Sequence, residues 1–160
     1  MEYPFISCKC ITYGRVDLLE ESIESFIKVR HSIHGNGVFA ARKIPTGARI
    51  IEYRGKRITE KQAEKRFGQD PDNPYHTFFF SLDSGKLIDG GDEGNDARWI
   101  NHSCEPNVRA VILKGHILYL SKRWIEAGEE LTIDYHFPKD VERVACKCGA
   151  EKCRGTINVK

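Results

Sequence analysis

The sequence contains no apolar run approaching the ~18–20 residues that a membrane-crossing helix needs. It has no marked excess of either charge. Its 25 Lys and Arg stand against 23 Asp and Glu, leaving +2, which is too balanced for general attraction to nucleic acid or to a membrane. It has no internal repeat and no low-complexity segment. The opening residues, MEYPFISCKC, carry an acid at Glu2 and no long apolar core, so they do not read as a secretory leader. Together these absences point away from a membrane protein, a disordered tail and a collagen-like chain. They leave an enzyme and a binding module both open. What remains is an ordinary globular composition, 40% hydrophobic and 30% charged, in 160 residues. That length suits one domain burying roughly 68–70% of the surface of its unfolded form.

Six cysteines are present: Cys8, Cys10, Cys104, Cys146, Cys148 and Cys153. With no secretory leader to read, a disulfide framework is disfavoured. Three of them crowd into CKCGAEKC, residues 146–153. Cys-x-Cys spacing suits two thiolates on one metal better than one internal disulfide. Structural zinc takes four ligands tetrahedrally, often all sulfur. A fourth ligand must then come from elsewhere, either Cys104 or the Cys8/Cys10 pair. Buried free thiols, packing as small hydrophobes, are the alternative.

The chain reads mainly as short strands, a β-rich α+β pattern. Residues 4–13 alternate as a strand, and Leu19, Ile23, Phe26 and Ile27 share one face of a helix predicted near 18–28. HSIHGNG then marks a break. VFAARKI and RIIEYRGKRI follow as strands around the turn Pro45–Gly47. Thr59-x-x-Gln62 fits a capping box opening a short helix to about Phe67. QDPDNP, residues 69–74, reads as an exposed loop. Hairpins are predicted around Asp83–Gly85 and Lys114–Gly115, a helical turn over 96–102, and a last strand in ELTIDY.

GNGVFA, residues 35–40, formally matches a dinucleotide-binding glycine pattern. No strand-then-helix context surrounds it, so only a glycine turn bringing backbone close to a ligand survives. ARWINHSCEPN packs Arg98, Asn101, His102, Cys104 and Asn107 beside Trp99 and Ile100, too dense a polar set for a plain solvated loop. Tyr53 and Tyr135 fall at strand ends, and Phe78, Phe79 and Phe80 run in sequence.

In order, GNGVFAARKI, EYRG, GNDARWINHSCEPN, GEELTIDY and CKCGAEKC resemble the SET-domain protein lysine methyltransferases with a post-SET zinc segment. The likeness spans about residues 31–157. It divides the chain into an extension at 1–30, a SET domain at 31–137 and a zinc-binding tail at 138–160. It implies a mostly β, α+β fold of short sheets with a pseudoknot, in which the NHSC segment meets the last strand. It implies S-adenosylmethionine as methyl donor, held by positions matching His34, Asn36, Gly37, Phe39, Phe78, Arg98, Asn101, His102 and Tyr135. It implies Tyr135 and Tyr53 as catalytic, a lysine channel walled by Tyr53, Phe78 and Ile133, and one structural zinc on Cys104, Cys146, Cys148 and Cys153. Isoleucine at position 133 has no hydroxyl to hold a water at the family's Phe/Tyr switch, which favours higher methylation over mono-methylation. Phe78 stands where many relatives carry tyrosine.

The resemblance also implies a basic protein or peptide partner, histone or otherwise, with no membrane and no direct nucleic-acid binding. The implied location is intracellular, with cytoplasm and nucleus unresolved. Asp89, Asp92, Glu93 and Asp96 form a stretch without a positive residue that is expected to attract a basic substrate. A non-catalytic module of the same fold, binding a basic peptide, is the competing function. Residues 6–28 resemble instead the first strand and helix of a family-2 glycosyltransferase, whose donor-binding remainder is not in this sequence. A sugar transferase is disfavoured for that reason.

Overall fold

The computed structural model describes residues 6–7, 26–33, 35–66 and 78–159. Cys8, Cys10, His34, most of the helix expected near 18–28 and the loop at 69–74 lie outside them. In chain order the strands are β1 (Ile6–Ser7), β2 (Ile27–Ser32), β3 (Gly35–Ala40), β4 (Arg49–Tyr53) and β5 (Lys56–Thr59). Helix α1 (Glu60–Arg66) precedes β6 (Phe79–Ser81) and β7 (Lys86–Asp89). A 3-10 turn at Asp96–Trp99 leads to β8 (Asn101–His102), β9 (Val108–Leu113), β10 (His116–Ser121) and β11 (Thr132–Ile133).

These strands build small sheets rather than one large one: β1-β6-β7-β5, β4-β10-β9, β11-β8 and β2-β3. Turn chemistry accounts for the hairpins. β9 and β10 pair antiparallel across Lys114 and Gly115, both at positive φ, and β6 and β7 pair across a turn closed by Gly85 at φ 72°. The capping box forms as its spacing dictates. The Thr59 N–H donates to Gln62 Oε1 at 2.9 Å, and the Gln62 N–H donates to Thr59 Oγ1 at 3.3 Å.

Residues 27 and 28 are strand, not helix. All six residues of β2 pair antiparallel with β3, from Ile27 opposite Ala40 to Ser32 opposite Gly35. Ladder bonds to β3 outweigh the helical spacing of Phe26 and Ile27. This hairpin also crosses residue 30, the edge of the expected extension, and β1 adds to the sheet of β6 in parallel.

Of two apolar clusters among the described residues, Ile58, Ala63, Phe79 and Leu87 form the smaller, and the larger has Val38, Ile50, Ile117, Ile125 and Leu131 fully excluded from water. Each such side chain contributes about 1.5–3 kcal/mol by leaving water. Strand β10 is buried at five of its six positions because β4 and β9 flank it on both edges. The parallel pair β8–β11 sets Asn101 beside Thr132 and His102 beside Ile133. The NHSC segment and the last strand therefore meet, with the β9–β10 hairpin looping between them.

Candidate functional site

A cavity of about 700 Å³ opens where β3, the 3-10 turn, β8, the stretch after β11 and the cysteine-rich tail converge. That volume lies within the usual range for small-molecule sites. Asn36, Tyr53, Phe78, Arg98, Asn101, His102 and Tyr135 all line it, together with Cys146 and Cys148. Gly37, Phe39, Ile133, Cys104 and Cys153 do not reach the wall. Ile133 packs in the core, and Phe39 bridges to Glu130 behind the wall.

The β8–β11 pairing arranges the polar end. Asn101 Nδ2 donates to the Asn36 carbonyl at 3.0 Å and to Glu130 Oε1 at 2.8 Å. His102, buried, accepts the Tyr135 N–H at Nδ1 over 3.2 Å, with Asp134 Oδ1 3.6 Å from the same nitrogen; with Nδ1 accepting, a neutral ring would carry its proton on Nε2. The Tyr135 hydroxyl donates to the Ile100 carbonyl at 3.1 Å, and its ring packs 5.4 Å from His102 and 6.2 Å from Phe137. Burial, reinforced by the Glu130 carboxylate, pushes the Tyr135 hydroxyl well above its ordinary pKa.

The aromatic end comes from β4 and the residues entering β6. The Tyr53 hydroxyl donates a short bond to the Phe78 carbonyl. Gly90 is obligatory here, since a Cβ would sit 2.4 Å from the Tyr53 hydroxyl. Burial, with Tyr135 and Asp89 adding to it, keeps Tyr53 protonated. Phe78 and Trp99 meet edge to face at 5.1 Å, and the Arg98 guanidinium lies 4.8 Å from the Trp99 ring and 5.9 Å from Phe78.

Beside this cavity the tail folds over Cys104. Cys104 Sγ lies 3.7 Å from Cys146 Sγ, 4.0 Å from Cys153 Sγ and 3.4 Å from His102 Nε2, while its N–H donates to Cys148 Sγ at 3.5 Å. None of the four is in a disulfide. His102, Cys104, Cys146 and Cys148 offer ligand atoms all within 4.8 Å of one another. Four thiolates at ~2.3 Å from one zinc lie about 3.8 Å apart along tetrahedral edges, close to the sulfur spacings here. Burial opposes ionisation of Cys148, but N–H groups of Cys104 and Ala150 and the neighbouring thiols bring it down to about 6. The cluster can hold a metal ion.

Comparison with known proteins matches the SET domain model over residues 35–136. This chain belongs to the SET-domain family. It is 37% identical over 145 residues to histone-lysine N-methyltransferase trithorax of Drosophila virilis, covering 88% of this chain and 4% of that protein. It is 38% identical over 147 residues to human histone-lysine N-methyltransferase 2B, covering 88% and 5%. Xenopus laevis histone-lysine N-methyltransferase SETD1B is 39% identical over 131 residues, covering 79% and 7%. The chain therefore spans less than a tenth of the length of these relatives.

Several contacts of this chain escaped the sequence reading. Arg154, next to Cys153, donates to both carboxylate oxygens of Asp134 at 2.7 and 2.9 Å, tying the tail to the residue before Tyr135. Asn107, 3% exposed, clamps the chain entering β11 by donating to the Glu130 carbonyl and accepting the Thr132 N–H. The acidic stretch is not a free patch. Asp89 pairs with Arg66, and Asp92 with Lys56 and Arg66, so α1 and β5 neutralise two of its four acids. No helix among the described residues is long and apolar enough to cross a membrane.

Proposed function

We propose that this SET domain transfers the methyl group of S-adenosylmethionine to the ε-amine of a lysine in a basic protein. The observation that carries the reading is the convergence of Asn36, Asn101, His102 and Tyr135 with Tyr53 and Phe78 on one cavity. The names of the relatives support a histone as the substrate class, and with it a nuclear location.

The residues fit the donor. When bound, S-adenosylmethionine supplies a methyl group already activated on a sulfonium sulfur. Asn36 and Asn101 offer a backbone carbonyl and a carboxamide on the wall, and Arg98 lies beside them. His102 anchors the Tyr135 backbone, so the tyrosine ring is held while its hydroxyl stays neutral. The hydroxyls of Tyr135 and Tyr53 each spend their proton on a backbone carbonyl, leaving oxygen lone pairs to orient an amine. The apolar surroundings of Tyr53, Phe78 and Trp99 disfavour an ammonium ion by desolvation and so favour the neutral, nucleophilic amine. No protein nucleophile is needed, and positioning supplies most of the rate.

Residues 31–137 carry this chemistry in our reading, joined by the start of β2. Residues 138–160 close the cavity by binding one zinc ion through Cys104, Cys146, Cys148 and Cys153. The His102 tautomer supports the all-sulfur set, because an Nε2 that carries a proton faces Cys104 Sγ as a donor and not as a ligand. Cys153 also interacts with the thiols of Cys146 and Cys148.

Incubation with labelled S-adenosylmethionine and a Lys/Arg-rich histone-tail peptide tests the reading. Label on a peptide lysine is expected. Peptide binding without label would support the non-catalytic module, and neither binding nor label would remove the lysine substrate.

A further inference from the structure

We propose that Glu130 is a positioning residue that turns the Asn101 carboxamide oxygen into the cavity as a fixed acceptor for an N–H group of the donor. The proposal rests on reading the cavity as the donor site. Glu130 is half-buried beside β3, bridged through its backbone to Phe39. Its Oε1 accepts from Asn101 Nδ2 at 2.8 Å and from Ser32 Oγ at 2.9 Å. Among the described residues it forms no ion pair, and the side chains that donate to its carboxylate there are the neutral Ser32 and Asn101.

The chemistry of its partners fixes the amide. Asn101 Nδ2 faces the Glu130 carboxylate and the Asn36 carbonyl, two groups that can only accept. A flipped amide would set oxygen against both, so this orientation is set by the network. Oδ1 is the end of the amide with no partner among the described residues, and Asn101 lines the cavity. Gly37 makes room for the device. A Cβ there would lie 2.5 Å from Glu130 Oε1 and 2.8 Å from Ser32 Cβ. The second glycine of GNG, in strand β3 and not in a turn, thus admits a carboxylate rather than a phosphate. One carboxylate couples the β2–β3 hairpin, through Ser32, to the β8 residue that faces the ligand.

The test uses the metal-loaded chain. Calorimetry measures S-adenosylmethionine affinity, and proton–nitrogen NMR of the ligand-free protein follows the Asn101 side-chain amide. Glu130→Ala is expected to weaken donor binding roughly tenfold, the reach of one well-placed hydrogen bond, and to speed exchange of the Asn101 amide protons. Glu130→Gln keeps an acceptor oxygen and is expected to restore most of both. In an Asn101→Ala background, Glu130→Ala is expected to add nothing. If Glu130→Ala does not fold, Glu130→Asp, too short to reach Nδ2, is read in its place.

Unchanged affinity or unchanged amide exchange overturns the proposal. So does a loss that persists in the Asn101→Ala background, which would mark Glu130 as mere support for the hairpin. A wild-type chain that binds no S-adenosylmethionine overturns the donor-site reading together with this one. Wild-type binding that Glu130→Ala matches overturns this one alone.

Discussion

Tyr53 and Tyr135 are held neutral by the same burial that seats them in the cavity. A tyrosine whose pKa rises on folding stabilises the fold fully below its unfolded value of ~10 and loses that contribution as pH climbs beyond it. The tyrosines' contribution to the unfolding free energy is therefore expected to fall above about pH 10. Tyr53→Phe should flatten that fall in alkaline denaturant titrations, and a wild-type curve level to pH 11 would contradict it. The Arg154–Asp134 pair is a second residue-scale test. Its side chains are only 16% and 12% exposed, so removing one partner strands a half-buried charge. Arg154→Ala should cost about 2 kcal/mol in thermal unfolding of the metal-loaded chain and expose residues 138–160 to protease. Loss of neither stability nor protection would mean that the tail docks without this pair.

At the scale of elements, Thr59 and Gln62 cap a helix of seven residues. Thr59→Ala should destabilise the protein by about 1 kcal/mol, read by denaturant titration. No change would show that tertiary packing alone holds α1. That cap was legible because its bonds join residues three apart, and the β6–β7 and β9–β10 hairpins were legible for the same local reason. Strand β2 was not. Ile23, Phe26 and Ile27 satisfy a helical period, while the bonds that decide for strand come from β3, beyond the turn. The last strand is also shorter than ELTIDY suggests, two residues, because only Thr132 and Ile133 find partners in β8. Deleting residues 1–25 should keep the cavity and the metal. Deleting 1–32 removes β2 with Ser32 and should abolish donor binding. Equal donor affinity in the two truncations would show the hairpin to be dispensable.

On the scale of the whole molecule, the site is assembled from segments far apart in the chain. The cysteine spacing announced a metal cluster, because Cys146, Cys148 and Cys153 lie within eight residues. That the same tail walls the cavity through Cys146, Cys148 and Ile157 is a long-range fact with no local signature. The pairing of Asp89 and Asp92 with Arg66 and Lys56 is another, and it removes half of what the sequence offered as an acidic recruiting patch. Because metal binding contributes directly to folding, purified chain should carry about one zinc, and Cys148→Ser should lose both the zinc and donor binding. Metal-free protein with undiminished donor affinity would separate the tail from the site.

The most direct measurement is single-turnover methyl transfer to a histone-tail lysine by wild type and by Tyr135→Phe, with S-adenosylmethionine affinity recorded on the same samples. The phenyl ring keeps the packing against His102 and Phe137, while the hydroxyl that orients the amine is gone. We expect the transfer rate to fall about a hundredfold or more with donor affinity nearly unchanged. Equal rates in the two proteins would contradict a cavity organised around that hydroxyl.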